Sequence, residues 1–258
     1  MKIVVLVKEV PDTWGDRKLN LETGLADRAA SETVLDEIGE RSLEVALSHA
    51  DRTPGTEVVV LSMAPAESAT TVRKALSMGA GSAVHVADEG LVGADLGLTA
   101  EVLAAAIRRT GFDLVIAGNL STDGSGGVMA AMVAELLDVP NLTTLNSVQI
   151  GDGTVSGERA SDGATMQVSA DLPAVISITE ALPDARFPNF KGIMAAKKKP
   201  FETVTLEELG IEPEDPGASR SIVLALSEKP PRQAGTKIVD EGDAGTKLAE
   251  FLVQNRLV

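Results

Sequence analysis

Three short apolar runs constrain this chain more than any other feature: KIVVLV at 2–7, EVVVLSM at 57–63 and DLVIA at 113–117. Each has the length of a strand, is rich in Val, Leu and Ile, and lacks the strict apolar–polar alternation of a sheet with one wet face. Runs of this kind suit strands covered on both sides, as in parallel sheets. Between them the spacing turns helical. Residues 36–50 put Ile38, Leu43, Ala46 and Leu47 on one face. A second helix is expected from about Pro65 to Met78, ended by Gly79, and a third over 95–109, closed by Gly111. A further short strand is expected at Ala83–Ala87. This alternation predicts an α/β fold: a mostly parallel, doubly wound sheet with helices on both faces and right-handed crossovers.

After the fourth strand comes AGNLSTDGSGG (117–127), then a helix over 128–137 that Pro140 stops. Residues 147–170 alternate polar and apolar side chains around GDG and SDG, which reads as antiparallel hairpins, and LPAVISIT (172–179) is another buried strand. From Pro183 the chain becomes irregular. Segments 214–221 and 228–235 read as linker, and Ala244 to Asn255 as an amphipathic helix. The expected division is an α/β nucleotide-binding domain over 1–182, a loop over 183–199, and an extended arm with its helix over 200–258. Too little periodic apolar surface follows Pro183 for that region to fold alone, so the arm is expected to lie on a partner.

Composition removes several function classes. The formal net charge is −15, and aromatic residues make up 2% with no tyrosine. Neither a wide basic face for phosphate backbones nor stacking platforms for bases can be built from that, so no nucleic acid is expected as partner. The absence of cysteine excludes disulfides, thiolate metal sites and a Cys nucleophile. His49 is expected late in a helix, either solvated or interacting with the helix cap, and His85, in AVHVA, in the core; no nucleophile–base set accompanies them. The opening MKIVVLVKEV reads as a strand and not as a signal sequence, and no run approaches the roughly 20 apolar residues of a membrane span. A soluble cytoplasmic protein is expected, not membrane-embedded.

Two stretches can carry function. Ligands of open α/β sheets bind outside the carboxyl ends of the strands. There, Gly118, Gly124, Gly126 and Gly127 allow close backbone approach, Ser121, Thr122 and Ser125 offer hydroxyls, and the next helix presents its N-terminus to an anion. No GxxxxGK[ST] pattern is present, and an inward Asp123 would repel phosphate. Spacing alone leaves nucleotide binding and a flexible capped loop both open. Lys8, at a neighbouring strand end, is either a phosphate-side cation or a solvated lysine. The second stretch is ARFPNFKGIMAAKKKP (185–200), with two of the five phenylalanines, Phe187 and Phe190, ahead of three consecutive lysines. Aromatic anchors beside lysines have the composition of a docking surface; two core phenylalanines with a solvated lysine face is the other possibility.

Across nearly its whole length the chain resembles the β subunits of electron transfer flavoproteins. The resemblance rests on VLVKEVPDT (5–13), LSMAPAESATTVRKALSMGA (61–80), DLVIAG (113–118) with Asp123, and LPAVISIT followed by ARFPNFKGIMAAKKKP. It implies an adenine-nucleotide-binding fold and an obligate heterodimer with an α subunit that holds most of an FAD, with a structural AMP in this subunit. The implied AMP pocket uses Leu6; Asp36, Glu37, Ile38 and Gly39; Met63; and the loop of Gly118, Asn119, Leu120, Ser121, Thr122, Asp123, Gly124, Ser125, Gly126, Gly127, Val128 and Met129. The flavin edge would approach Arg159 and Asp12–Thr13. Residues from about Ile178 to Lys199 would form the recognition loop for flavin dehydrogenases. Phe190 stands at the family's apolar anchor, and Ile193, Met194, Lys197, Lys198 and Lys199 complete the docking set, with Ile193 and Met194 pinning the loop base. Asp36-Glu37, where the family often has Asn-Pro, together with Leu120 and Ala160, departs from the family pattern and bears on individual contacts.

The implied role is that of an electron carrier and not a catalyst of substrate chemistry. It would pass electrons from dehydrogenases of the acyl-CoA type through FAD to a quinone oxidoreductase-type acceptor. The alternatives are a bifurcating flavoprotein, with a second FAD in place of AMP and NADH as donor, and a stand-alone ATP-binding stress-type protein using the same layers.

Overall fold

The computed structural model describes every residue except Asp16 and Gln233; the latter falls in the expected linker at 228–235, and that position lies outside the described residues. The chain opens with β1 (Lys2–Leu6), β2 (Glu9–Pro11), β3 (Thr33–Leu35), α1 (Glu37–Arg52), β4 (Glu57–Met63), α2 (Ala69–Met78) and β5 (Ser82–Val86). It continues with α3 (Leu96–Thr110), β6 (Leu114–Gly118), α4 (Met129–Leu137), β7 (Asn141–Leu145), β8 (Ser147–Ile150), β9 (Thr154–Ser161) and β10 (Ala164–Asp171). The last elements are β11 (Ala174–Ile178), α5 (Phe190–Ala196), β12 (Phe201–Val204), α6 (Leu206–Leu209) and α7 (Ala244–Gln254).

A 7-stranded sheet in the order β12–β5–β4–β1–β6–β11–β7 forms the centre, and every neighbouring pair in it is parallel. The unbroken apolar runs now have their explanation. Successive side chains of a strand point to opposite faces, and both faces are covered. Ile3, Val5 and Val7 join Leu43 and Leu47 of α1 and Val72 and Leu76 of α2 in one core. Val4 joins Val102 and Ile107 of α3 and Val133 of α4 in the other. The expected α/β architecture is therefore present. The hairpins expected over 147–170 form a 3-stranded antiparallel sheet, β10–β9–β8, whose Val148, Ile150 and Val155 pack into the first core.

The chain forms two compact units, Met1–Leu224 and Ala225–Val258. This moves the boundary expected at 200. Phe201–Val204 pairs with β5 as the parallel edge strand of the sheet, and Val204 and Leu206 are buried. A capping box between Thr205 and Glu208 starts α6, and the Asp88 carboxylate accepts from the Leu206 N–H. Four residues are too few to show a period, so this strand was not legible in the sequence. The same holds for β2 and β3, of three residues each; β7, NLTTL, has five residues but no apolar run. In the second unit, α7 has no buried residue; Leu248, Phe251 and Val253 are exposed.

The two histidines divide. His85 is in the core as expected, its Nε2 3.0 Å from the Ala64 carbonyl and its ring edge-on to Phe201. His49 is buried and not solvated. Desolvation lowers its pKa, and the charges of Arg52 and the N-terminus act in the same direction.

Candidate functional site

The chain runs outward from β1 to β4 and β5, then crosses back to lay β6 on the other flank of β1. Between β1 and β6 the strand order thus reverses, and open α/β sheets take ligands in the crevice beyond the carboxyl ends at such a point. The ends of β1 and β6, the first turn of α1 and the loop from Gly118 to Gly127 converge there. Leu6 and Met63 lie together at the margin of the α3/α4 core.

Glycine at 118 is required by packing. A Cβ on it would stand 2.6 Å from Ile38 Cγ2, so only a bare backbone lets β6 end against the first turn of α1. The loop is then fastened in several places. The Asn119 N–H donates to the Ile178 carbonyl at 2.8 Å. The Thr122 N–H donates to Asp36 Oδ2 at 3.0 Å. Lys8 Nζ lies 2.8 Å from Asp123 Oδ1, which removes the difficulty of an uncompensated Asp123 beside an anion. Burial pushes the Asp123 carboxyl up, but hydrogen bonds from Lys8, Ser121 and the Gly124 N–H, together with the Lys8 charge, outweigh it and hold the group below the usual range. Ser125 and Gly127 adopt left-handed backbone, φ 50° and φ 68°.

Asp36 is the unusual member. It is 2% exposed, and its Oδ1 has no hydrogen-bond partner among the described residues. Desolvation raises its pKa above the ordinary carboxylate value, opposed by the Thr122 backbone N–H and reinforced by the charge of Asp123. It stands at the N-cap of α1 without capping through its side chain.

A phosphate-bearing nucleotide fits this cradle. The N–H groups of Gly126, Gly127 and Val128 have no partner among the described residues, α4 follows at Met129, and Leu120 and Val128 form an apolar exposed lip. Sequence reasoning missed Arg17, whose Nη1 donates to the Thr122 carbonyl and so brings the long segment after β2 to this loop. No sequence signal ties Arg17 to a loop so far along the chain. Arg159 lies on β9 opposite Met166, whereas Asp12 follows β2 and accepts from the Trp14 N–H.

The second candidate region joins β11 to β12. Phe187 and Phe190 are 93% and 80% exposed, which removes the possibility that both are core. Asn189 caps α5 by accepting from the Gly192 N–H at 2.8 Å. A Cβ at Gly192 would meet the Ser77 carbonyl oxygen at 2.3 Å, so glycine lets α5 lie directly on α2. Ala196 is buried, and Arg73 Nη1 donates to its carbonyl at 3.3 Å.

Two expectations are corrected here. Ile193 and Met194 are 47% and 50% exposed; Gly192 and Ala196, not they, pin the base of the loop. A helix of two turns gives one narrow face to its support, and the spacing of 192 and 196 takes it. Lys199 does not belong to the docking face. Its Nζ turns inward to the carbonyls of Leu76 and Ala80, at 2.8 and 2.6 Å, where it caps α2. Burial lowers the pKa of this amine. Lys197 and Lys198 remain exposed.

The sequence model of the electron transfer flavoprotein domain matches residues 23–209. The electron transfer flavoprotein subunits beta of Mycobacterium tuberculosis and Mycobacterium leprae are each 46% identical to this chain, over 99% of both sequences. The caffeyl-CoA reductase–Etf complex subunit CarD of Acetobacterium woodii is 31% identical, over 98% of this chain and 97% of its own length.

Proposed function

The chain belongs to the electron transfer flavoprotein β-subunit family, and from that premise we propose that it is half of a heterodimer that accepts electrons from flavin dehydrogenases. The electron transfer role follows from the family. The dehydrogenases would be of the acyl-CoA type, the acceptor a quinone oxidoreductase-type protein, and the site of action the cytoplasm. FAD would be shared with the α subunit, and AMP would occupy the cradle between β1 and β6.

The observation that carries this reading is a cradle with a nucleotide's requirements in a chain that has neither cysteine nor tyrosine. When bound, FAD supplies the electron storage that such a chain lacks. What this chain's own residues do is bind and orient. Gly126, Gly127 and Val128 would donate to the AMP phosphate, Lys8 neutralises Asp123, and Leu6, Ile38 and Met63 wall the base side. Phe190, with Phe187 and the flanking Lys197 and Lys198, would seat against an acidic-rimmed apolar hollow of the dehydrogenase. Fast exchange suits a shuttle, and exposed lysines mainly set the on-rate. The second unit, with the apolar side chains of α7 exposed, would pack on the α subunit.

The relative from a caffeyl-CoA reductase–Etf complex supports keeping one second reading: a bifurcating flavoprotein with a second FAD in the AMP position and NADH as donor. Nucleotides extracted from the co-purified heterodimer separate the two. One FAD with one AMP is the expected result, two FAD with no AMP would favour the second reading, and a flavin-free complex would refute both.

A further inference from the structure

The segment carrying Phe187 and Phe190 leaves the body after β11 and returns at β12, yet it is not a free loop. On its far side α5 is seated on α2 through Gly192 and Ala196. On its near side Arg41 Nη1 donates to the Leu182 carbonyl at 2.6 Å, and Arg41 pairs with Asp184. One residue before Phe187 stands the strongest of these fastenings.

Arg186 gives one carboxylate three hydrogen bonds: its backbone N–H and its Nε reach Glu44 Oε2 at 3.0 and 2.7 Å, and its Nη2 reaches Glu44 Oε1 at 2.8 Å. Nη2 also lies 2.9 Å from Asp51 Oδ2. Ser48 Oγ donates to Glu44 Oε1 at 2.8 Å, fixing the carboxylate from within the helix. The Glu44 side chain is mostly buried. Burial pushes its pKa up, but the bonds from Arg186 prevail and hold the carboxyl below the usual range. A two-pronged guanidinium fixes direction as well as distance, which a lysine cannot do. Both acids sit on the rigid middle and end of α1.

We infer that Arg186, held by Glu44 and Asp51 of α1, is a positioning residue for dehydrogenase docking: it orders the Phe187–Phe190 segment before the partner arrives. An anchor already in its bound geometry spares the encounter the cost of ordering side chains and backbone. This inference rests on the docking reading above, and the experiment keeps the two separable.

The reconstituted heterodimer is assayed for electron acceptance from an acyl-CoA dehydrogenase as its own concentration is varied. Arg186→Gln should raise KM for the flavoprotein about tenfold, with kcat at saturation, FAD content and flavin potential unchanged. Glu44→Gln should do the same, and the double variant no more than either, because the two act as one unit. Arg186→Lys should fail to restore KM. Backbone amides 187–195 should exchange hydrogen faster in Arg186→Gln, a measurement that needs no dehydrogenase. Unchanged exchange, additive effects, or a fall in kcat at constant KM would overturn the positioning role. An unchanged KM in Arg186→Gln while Phe190→Ala raises it overturns positioning and leaves docking intact. An unchanged KM in both overturns the docking reading together with this one.

Discussion

Replacing Lys199 by alanine separates a structural lysine from the two beside it. Its ammonium reaches the Leu76 carbonyl in the last turn of α2 and the Ala80 carbonyl just beyond. A hydrogen bond to a charged group is worth about 1.5–3 kcal/mol net, and a cation at a helix C-terminus adds about 0.3–1 kcal/mol. Desolvation of the amine, visible in its lowered pKa, offsets part of this. The expected net loss is about 2–4 kcal/mol, a large share of a stability on the order of 5–15 kcal/mol. For a chain of this size each kcal/mol moves Tm by about 2–4 °C, so Lys199→Ala should melt roughly 5–15 °C lower. Lys197→Ala and Lys198→Ala, exposed on the same turn, should stay within about 0.5 kcal/mol of the parent. Thermal melts followed by circular dichroism, with urea titrations for the free energies, measure all three. If Lys199→Ala melts with the parent, or if Lys197→Ala loses as much, the capping role assigned to Lys199 is wrong and the three lysines form one surface after all.

Phe190→Ala should leave stability within about 0.5 kcal/mol, since the side chain is already exposed. It should raise KM for the flavoprotein with a dehydrogenase donor by roughly ten- to a hundredfold, the equivalent of about 1.5–3 kcal/mol of lost aromatic burial; an unchanged KM would remove the anchor. Asp36 has its native pKa raised, so the folded state binds its proton more tightly than the unfolded one. That contribution is complete below the ordinary carboxylate range and is lost as pH rises through the raised value. Asp36→Asn, which keeps an acceptor for the Thr122 N–H, should therefore be more stable than the parent at pH 7, with the gap closing under acid; equal urea midpoints at both pH values would count against a buried ionised Asp36. Lys8→Met should leave the Asp123 charge unbalanced and weaken AMP retention by about tenfold, or ~1.4 kcal/mol, measured by nucleotide content after dialysis. Full retention would mean that Asp123 points away from the anion.

How much was legible in the sequence follows from what kind of information each feature needs. The runs at 2–7, 57–63 and 113–117 identified buried parallel strands because side-chain periodicity is local: an unbroken apolar run of five to seven residues shows that neither face meets water. The glycine loop after the fourth strand was likewise visible, since a strand end followed by glycines and a helix is a contiguous pattern. The aromatic–lysine stretch was visible as composition, but its orientation was not. Whether Phe190 is buried and whether Lys199 docks or caps depend on α2, well over a hundred residues earlier. The same separation hid the Arg17 contact to Thr122 and the hold of Glu44 on Arg186. β12 escaped because four residues carry no period, and its place at the sheet edge is decided by the free rim of β5.

By itself, then, the sequence determined the class of sheet, the helices on both of its faces, the glycine-rich stretch after the fourth strand, and the family. Those are set by burial periodicity and by runs of residues read in order. Only the tertiary structure decided which charges cancel and which stay free. It set Lys8 against Asp123, left one oxygen of Asp36 buried with no partner among the described residues, and turned Lys199 into α2 while leaving Phe187 and Phe190 in solvent. Charge and exposure are properties of neighbours in space, and no local spacing encodes them.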